Sequence, residues 1–186
     1  MYQTSRDTYM IEENLIQKIR EIGLLISDVD GVMTDGSIIM DDMGHEIKKF
    51  NVRDGHGIKL LMRYGIDVIL LTGRQSKVVE YRAKDLGIVE VHQGVFNKMD
   101  TFEEIIRSRG IACERVSFIG DDIVDIPVLR KVGFSVAVAD AHEDVKRSVD
   151  YITASKGGGG AVREVCEIIL RHQDKWGEVA QKYDIP

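Results

Sequence analysis

Unbroken apolar stretches recur along this chain, each ending at a polar residue or glycine and each followed by a segment of helical periodicity. They are IGLLISDV (22–29), IDVILLT (66–72), the shorter VEVHQG (89–94), RVSFIGD (115–121), GFSVAVA (133–139) and DYIT (150–153). Between them lie GHGIKLLMRYG, SKVVEYRAKDLG, NKMDTFEEIIRSRG, IVDIPVLRKVG and AHEDVKRSV, several closed by a glycine suited to a helix C-cap. Strands that are apolar throughout need cover on both faces, and the intervening helices supply it. The pattern predicts an α/β fold with a doubly wound parallel sheet. In such sheets ligands bind beyond the carboxyl ends of the strands.

Residues 36–50, GSIIMDDMGHEIKKF, break the alternation and predict a β-hairpin inserted after the first strand, turning at DDMG. No other insertion is long enough for a second domain, so residues 1–186 read as one domain without a large cap. An amphipathic helix is expected at 11–21 and another at 160–174, the latter after the glycine run 157–160. The tail, 175–186, is polar and reads as loosely ordered.

Bulk composition narrows the function classes. Hydrophobic residues make up 44% and charged residues 30%, as in globular proteins, and the formal net charge is -6. No lysine or arginine block provides the basic footprint of a nucleic-acid binder. Cys113 and Cys166 are too far apart for a CxxC site and read as reduced. With no apolar signal core and no membrane-spanning window, the chain reads as cytoplasmic.

The strand ends carry the chemistry. The first delivers Asp28 and Asp30, the second Thr72-Gly73-Arg74, and the fourth Gly120-Asp121-Asp122 with Asp125 beyond; Lys98 opens the helix after the third. A parallel sheet brings these ends to one edge. Side chains two apart on a strand point the same way, which would aim Asp28 and Asp30 together if strand geometry persisted. Several carboxylates meeting there need a cation, and an oxygen-only cluster suits Mg²⁺, which also binds phosphate. Thr72 and Lys98 then offer a hydroxyl and an ammonium to phosphate oxygens. Taken singly, Asp-Gly is often a turn, GDD is commonly a turn, and a lone lysine is usually solvated. Their order and placement together favour the functional reading.

DVDGVMTD, LLTGR, Asn97-Lys98 and GDDIVD resemble the four signature motifs of the haloacid dehalogenase-like phosphohydrolases, over residues 22 to 170. FNVRDGHGIKLL (50–61) and GAVREVC (160–166) resemble a narrower group, the 3-deoxy-D-manno-octulosonate 8-phosphate phosphatases. The resemblance implies that Asp28 is the nucleophile and forms an aspartyl phosphate, while Asp30 protonates the leaving alcohol and then activates water. It implies Mg²⁺ on the Asp28 side chain, the Asp30 backbone carbonyl and Asp121. Thr72 and Lys98 would bind phosphoryl oxygens, with Asp122 and Asp125 supporting the metal's waters or orienting Lys98.

Substrate contacts implied by the narrower resemblance are Asn51, Val52, Arg53, Asp54, Gly55, Lys59, Gly73, Arg74 and Arg82, with Asp30, Thr72 and Lys98. Arginine suits a sugar-acid carboxylate through its bidentate fork. Lys59 departs from the arginine associated with that position, and Gly159 fills the variable place in the group's GGxGA pattern. The resemblance further implies an anionic sugar-phosphate substrate, a role in lipopolysaccharide precursor synthesis, and a homotetramer. Its glycine-rich segment would lie near a neighbouring subunit's active site.

Three other readings compete with this one. A nonulosonate 9-phosphate phosphatase would replace the RDGHG-like segment and carry an acidic residue after Thr72-Gly73, where Arg74 stands. A signalling receiver would carry its phosphorylated aspartate on the third strand, which here ends in VHQG. A silent oligomerisation module of the same fold would have no need of Asp28, Asp30, Thr72, Lys98 and Asp121 together.

Overall fold

The computed structural model describes residues 13–186, so the first two residues of the helix expected at 11–21 lie outside it. The chain runs through α1 (Glu13–Arg20), β1 (Leu24–Ser27), β2 (Ile39–Met40), β3 (Glu46–Ile47), α2 (Val52–Arg63), β4 (Asp67–Leu71), α3 (Lys77–Leu86), β5 (Glu90–His92) and α4 (Lys98–Arg109). It continues through β6 (Val116–Gly120), α5 (Ile126–Leu129), β7 (Phe134–Ala137), α6 (Glu143–Lys146), β8 (Tyr151–Ile152), α7 (Ala161–His172) and α8 (Trp176–Lys182). Short 3-10 turns at Cys113–Arg115 and Ile123–Asp125 precede β6 and α5.

Six strands form one parallel sheet in the order β5-β4-β1-β6-β7-β8, and β2 pairs with β3 as a separate antiparallel hairpin. The doubly wound fold read from the sequence is therefore present. β1 lies at the centre: Leu24 is in register with Asp67 and Val116, and Ser27 with Leu70 and Ile119. All four β1 residues are buried, which explains a strand without polar alternation. Helix α2 packs along α7, while α4 packs on α5.

The predicted strands all form. The helical pattern at 123–133 yields only a 3-10 turn and the single turn of α5, because Pro127 lacks an N–H and starts a new helix. AHEDVKRSV forms only one turn, anchored by buried Val145. The tail corrects the expectation of loose order: α8 buries Val179, and the Arg171 guanidinium lies 4.0 Å above the Trp176 ring. Its polar average concealed an apolar pair at i, i+3, enough to dock one short helix.

Candidate active site

Strand order reverses direction between β1 and β6, the topological switch point where doubly wound sheets bind ligands. Asp28 follows β1 and Asp121 follows β6, so the two aspartates meet across that crevice. The Asp28 N–H still donates to Ile119 O at 3.0 Å, continuing the ladder. Then the chain turns. The Val29 carbonyl accepts from Val32, Met33 and Thr34 at 3.3, 2.9 and 3.1 Å, so strand geometry ends before Asp30. The two carboxyls face one cleft, but through this turn and not through strand alternation. Gly31 makes the turn possible at φ 87°, and a Cβ there would overlap the Asp121 carboxylate.

The cleft has a volume of about 390 Å³ and is lined by Asp28, Asp30, Thr72, Gly73, Arg74, Lys98, Asp121 and Asp122, with Val95, Phe96 and Val124 as apolar wall. Asn97 caps α4 by accepting from the Met99 N–H at 3.1 Å, which fixes Lys98 as the first helical residue. Buried Lys98 places Nζ 3.0 Å from Asp28 Oδ1 and 2.6 Å from Asp125 Oδ1. Asp125 Oδ2 accepts from the backbone N–H groups of Asp121 and Asp122 at 3.1 and 3.3 Å. One wholly buried carboxylate thus ties the ammonium to the loop after β6.

Charge at the site is under tension. Burial pushes Asp28 up to about 6, with the Lys98 ammonium pulling it down and the Asp125 charge adding to the rise. Asp121 is pushed to about 8 by burial, then by the negative charges of Asp28 and Asp125. Burial alone would lower Lys98, yet the two carboxylates outweigh it and raise its pKa.

Asp28, Asp121 and Asp125 offer carboxylate oxygens within 4.8 Å of one another. Both Asp125 oxygens are already engaged. Asp28 Oδ1 and Asp121 Oδ1 are buried without a hydrogen-bond partner, the first only ion-paired to Lys98. Two crowded carboxyls, with Asp121 Oδ1 left without any partner in a polar crevice, fit a hard divalent cation such as Mg²⁺, which would relieve both their repulsion and their desolvation.

Other residues named from the sequence lie outside the cleft of this chain. Helix α2 begins at Val52, so Val52 to Gly55 form its first turn, capped by Asn51 accepting from the Arg53 N–H at 2.8 Å. Val52, Arg53 and Lys59 are exposed. Asp54 is buried, and its Oδ1 accepts from the Arg163 N–H at 2.7 Å, capping α7, whose own N-cap, Gly160, has no side chain to do so. Arg82 pairs with Asp85 at 2.7 Å and sits over the Phe50 ring at 5.6 Å, close against Gly55.

The glycine run abuts the loop after Asp28 in its own chain. Gly158 N–H donates to Val32 O at 2.9 Å, Gly157 N–H donates to Asp140 Oδ1 at 2.9 Å, and a Cβ on Gly157 would overlap the Gly31 main-chain oxygen.

Sequence reading missed Glu46, Lys48, Ser76 and Phe96. Lys48, at the hairpin base, contacts Asp30 Oδ1, and Glu46 accepts from Arg74 Nη2 at 2.9 Å and from the Ser76 hydroxyl. Their signal was the spacing of two in HEIKKF, which puts both side chains on one face of the arm. Phe96 stands fully exposed at the cleft mouth, an apolar residue in the loop just before Asn97 and Lys98.

The haloacid dehalogenase-like hydrolase family profile matches residues 84–165. The chain is 49% identical over 165 residues to the 3-deoxy-D-manno-octulosonate 8-phosphate phosphatase of Yersinia pestis, covering 89% of this chain and 88% of that protein. The Moraxella catarrhalis phosphatase of that name, solved with magnesium, phosphate and KDO, superposes with a TM-score of 0.91 at 38% identity, covering 92% and 99% of the two chains. The cobalt-bound Haemophilus influenzae phosphatase gives 0.83 at 43% identity, covering 86% and 93%. On sequence and fold alike, this chain belongs to the haloacid dehalogenase-like hydrolases, in the group of the 3-deoxy-D-manno-octulosonate 8-phosphate phosphatases.

Proposed function

We propose that this chain is a Mg²⁺-dependent phosphomonoesterase that converts 3-deoxy-D-manno-octulosonate 8-phosphate to KDO and phosphate through an aspartyl phosphate on Asp28, in lipopolysaccharide precursor synthesis. The observation that carries the reading is the meeting of Asp28 with the unpartnered Asp121 Oδ1 at the switch point, beside buried Lys98. The relatives solved with magnesium, phosphate and KDO, or with cobalt, support the cation and the substrate class.

Asp28, Asp121 and the main-chain carbonyl of Asp30 would hold Mg²⁺. When bound, the ion neutralises charge on the transferring phosphoryl group. Lys98 and Thr72 bind phosphoryl oxygens, and Asp125 keeps Lys98 in place with Asp122 beside it. Asp28 attacks phosphorus; the bond to the sugar oxygen breaks, and that oxygen takes a proton from Asp30. Water then attacks the aspartyl phosphate, Asp30 accepts its proton, and Asp28 is released as carboxylate with free phosphate.

Arg74, 41% exposed at the side chain, faces the cleft and suits the substrate's carboxylate. Its presence after Thr72-Gly73 favours the octulosonate over the nonulosonate. Phe96 and Val95 offer an apolar surface to the sugar. Asn51, Val52, Arg53, Asp54, Gly55, Lys59 and Arg82 stand outside this chain's cleft, so their contribution is indirect or belongs to an assembled oligomer.

A homotetramer is part of the proposal. The hairpin leaves Ile38, Ile39, Met40, Met43 and Ile47 exposed, Met43 at 77%, an apolar patch suited to burial between copies. No helix among the described residues is long and apolar enough to cross a membrane.

The test is phosphate release from 3-deoxy-D-manno-octulosonate 8-phosphate, a nonulosonate 9-phosphate and hexose phosphates, with Mg²⁺ and with chelator. Selective, Mg²⁺-dependent release from the octulosonate phosphate is expected. Equal rates on hexose phosphates, or turnover in chelator, would sink the reading.

A further inference from the structure

The hairpin arm carries a cation into the active site. Lys48 follows β3, and its side chain is only 2% exposed although the hairpin tip is open to solvent. Its ammonium contacts Asp30 Oδ1 and lies 3.3 Å from Glu46 Oε1. Glu46 is held in turn by Arg74 Nη2 at 2.9 Å and by the hydroxyl of Ser76, the N-cap of α3. Ser76 and Arg74 together hold the Glu46 carboxyl below the usual range. Asp30 Oδ2 has no hydrogen-bond partner, and Arg74 Nε is 3.8 Å from it. Burying an ammonium is costly unless it is paired, and nothing in the hairpin's own short ladder requires one here. The chain Ser76–Glu46–Lys48–Asp30 runs from a helix cap to a single carboxyl oxygen.

We propose that Lys48 is a positioning residue for phosphoryl transfer, holding Asp30 through Oδ1 so that the other carboxyl oxygen, Oδ2, carries the proton to the leaving sugar oxygen. This rests on reading Asp30 as the proton donor. As the phosphorus–oxygen bond breaks, its electron pair stays on the sugar oxygen, the Asp30 proton passes to that oxygen, and Asp30 becomes a carboxylate. Lys48 faces the negative charge as it forms, an interaction stronger in the transition state than before it. Glu46 holds Lys48 and Arg74 from one carboxylate, so the arm orders the proton donor and a cleft arginine together.

The experiment compares kcat/KM on 3-deoxy-D-manno-octulosonate 8-phosphate, whose alkoxide needs a proton, with p-nitrophenyl phosphate, whose leaving group does not. Lys48→Met is expected to lose at least about tenfold more on the sugar phosphate than on the aryl phosphate, within the usual reach of general acid catalysis. Lys48→Arg should restore most of that ratio. Asp30→Asn should show the same selectivity, and adding Lys48→Met to it should cost little more, since the two act as a unit.

Equal losses on both substrates, as a purely structural defect would give, overturn the proposal, as does full additivity with Asp30→Asn. If Lys48→Met does not fold, Lys48→Gln is compared in the same way. A wild type inactive on both compounds overturns the underlying phosphatase reading, and the proposal with it. An active wild type with equal losses overturns the proposal alone.

Discussion

Lys98 Nζ lies 3.0 Å from Asp28 Oδ1, with both residues buried and Asp125 Oδ1 closing the triad at 2.6 Å from the same ammonium. Three charges share a space that water barely reaches. Removing the single cation leaves two buried carboxylates facing each other. Breaking a buried pair in this way costs about 3–5 kcal/mol. Lys98→Met should lose stability of that order in urea unfolding, and should also lose turnover. A variant as stable as wild type would show that the triad relaxes without cost.

The carboxyl pair makes stability depend on pH and on the cation. Asp28 at about 6 and Asp121 at about 8 both exceed the ordinary value of 3.8. A carboxyl with a raised folded-state pKa binds more protons folded than unfolded across that interval, so stability falls as pH rises through it. The metal-free protein should therefore lose stability from about pH 4 to about pH 8, with Asp28 alone contributing on the order of 3 kcal/mol. Mg²⁺ binds the ionised form, so it should raise Tm more at the upper end of this window than at the lower. Melting curves with Mg²⁺ and with chelator check both signs. A Mg²⁺-induced shift that shrinks as pH rises would contradict the assignment.

Gly157 presses against the loop that follows Asp28, and a Cβ there would overlap Gly31 O. Main-chain atoms cannot swing aside as a flexible side chain can. Gly157→Ala should cost about 1–3 kcal/mol, the usual range for overpacking, and lower kcat by displacing Gly31 and its neighbour Asp30. Gly44→Ala, at the hairpin tip where a Cβ meets nothing within 4 Å, is the control. Its φ of 80° should cost some stability through backbone strain while leaving kcat alone. Equal kcat losses in the two variants would remove the packing argument.

The sheet and the strand-end residues were legible because their signals are local. Apolar runs mark buried strands, and a parallel sheet gathers their ends wherever the intervening helices go. Asp28, Thr72, Lys98 and Asp121 follow from that alone. Asp54 was less legible: nothing in RDGHG announces that its carboxylate caps α7 from more than a hundred residues away. Lys48 was only half legible: its spacing of two from Glu46 puts both on one face of the arm, but its burial depends on how the arm folds back over Asp30. The α8 helix was hidden by a polar average around Trp176 and Val179. The turn after Asp28 was hidden too, since strand periodicity cannot foresee Val29 O accepting three amides.

Asp28 is expected to become covalently phosphorylated during turnover. Turnover of 3-deoxy-D-manno-octulosonate 8-phosphate with Mg²⁺, quenched rapidly in acid and followed by peptide mass spectrometry, tests it directly. One phosphoryl group is expected on the peptide containing Asp28 during turnover, and none there in Asp28→Asn, which should also be inactive. An Asp28→Asn enzyme that still turns over would contradict it, as would a phosphoryl group trapped on a different residue.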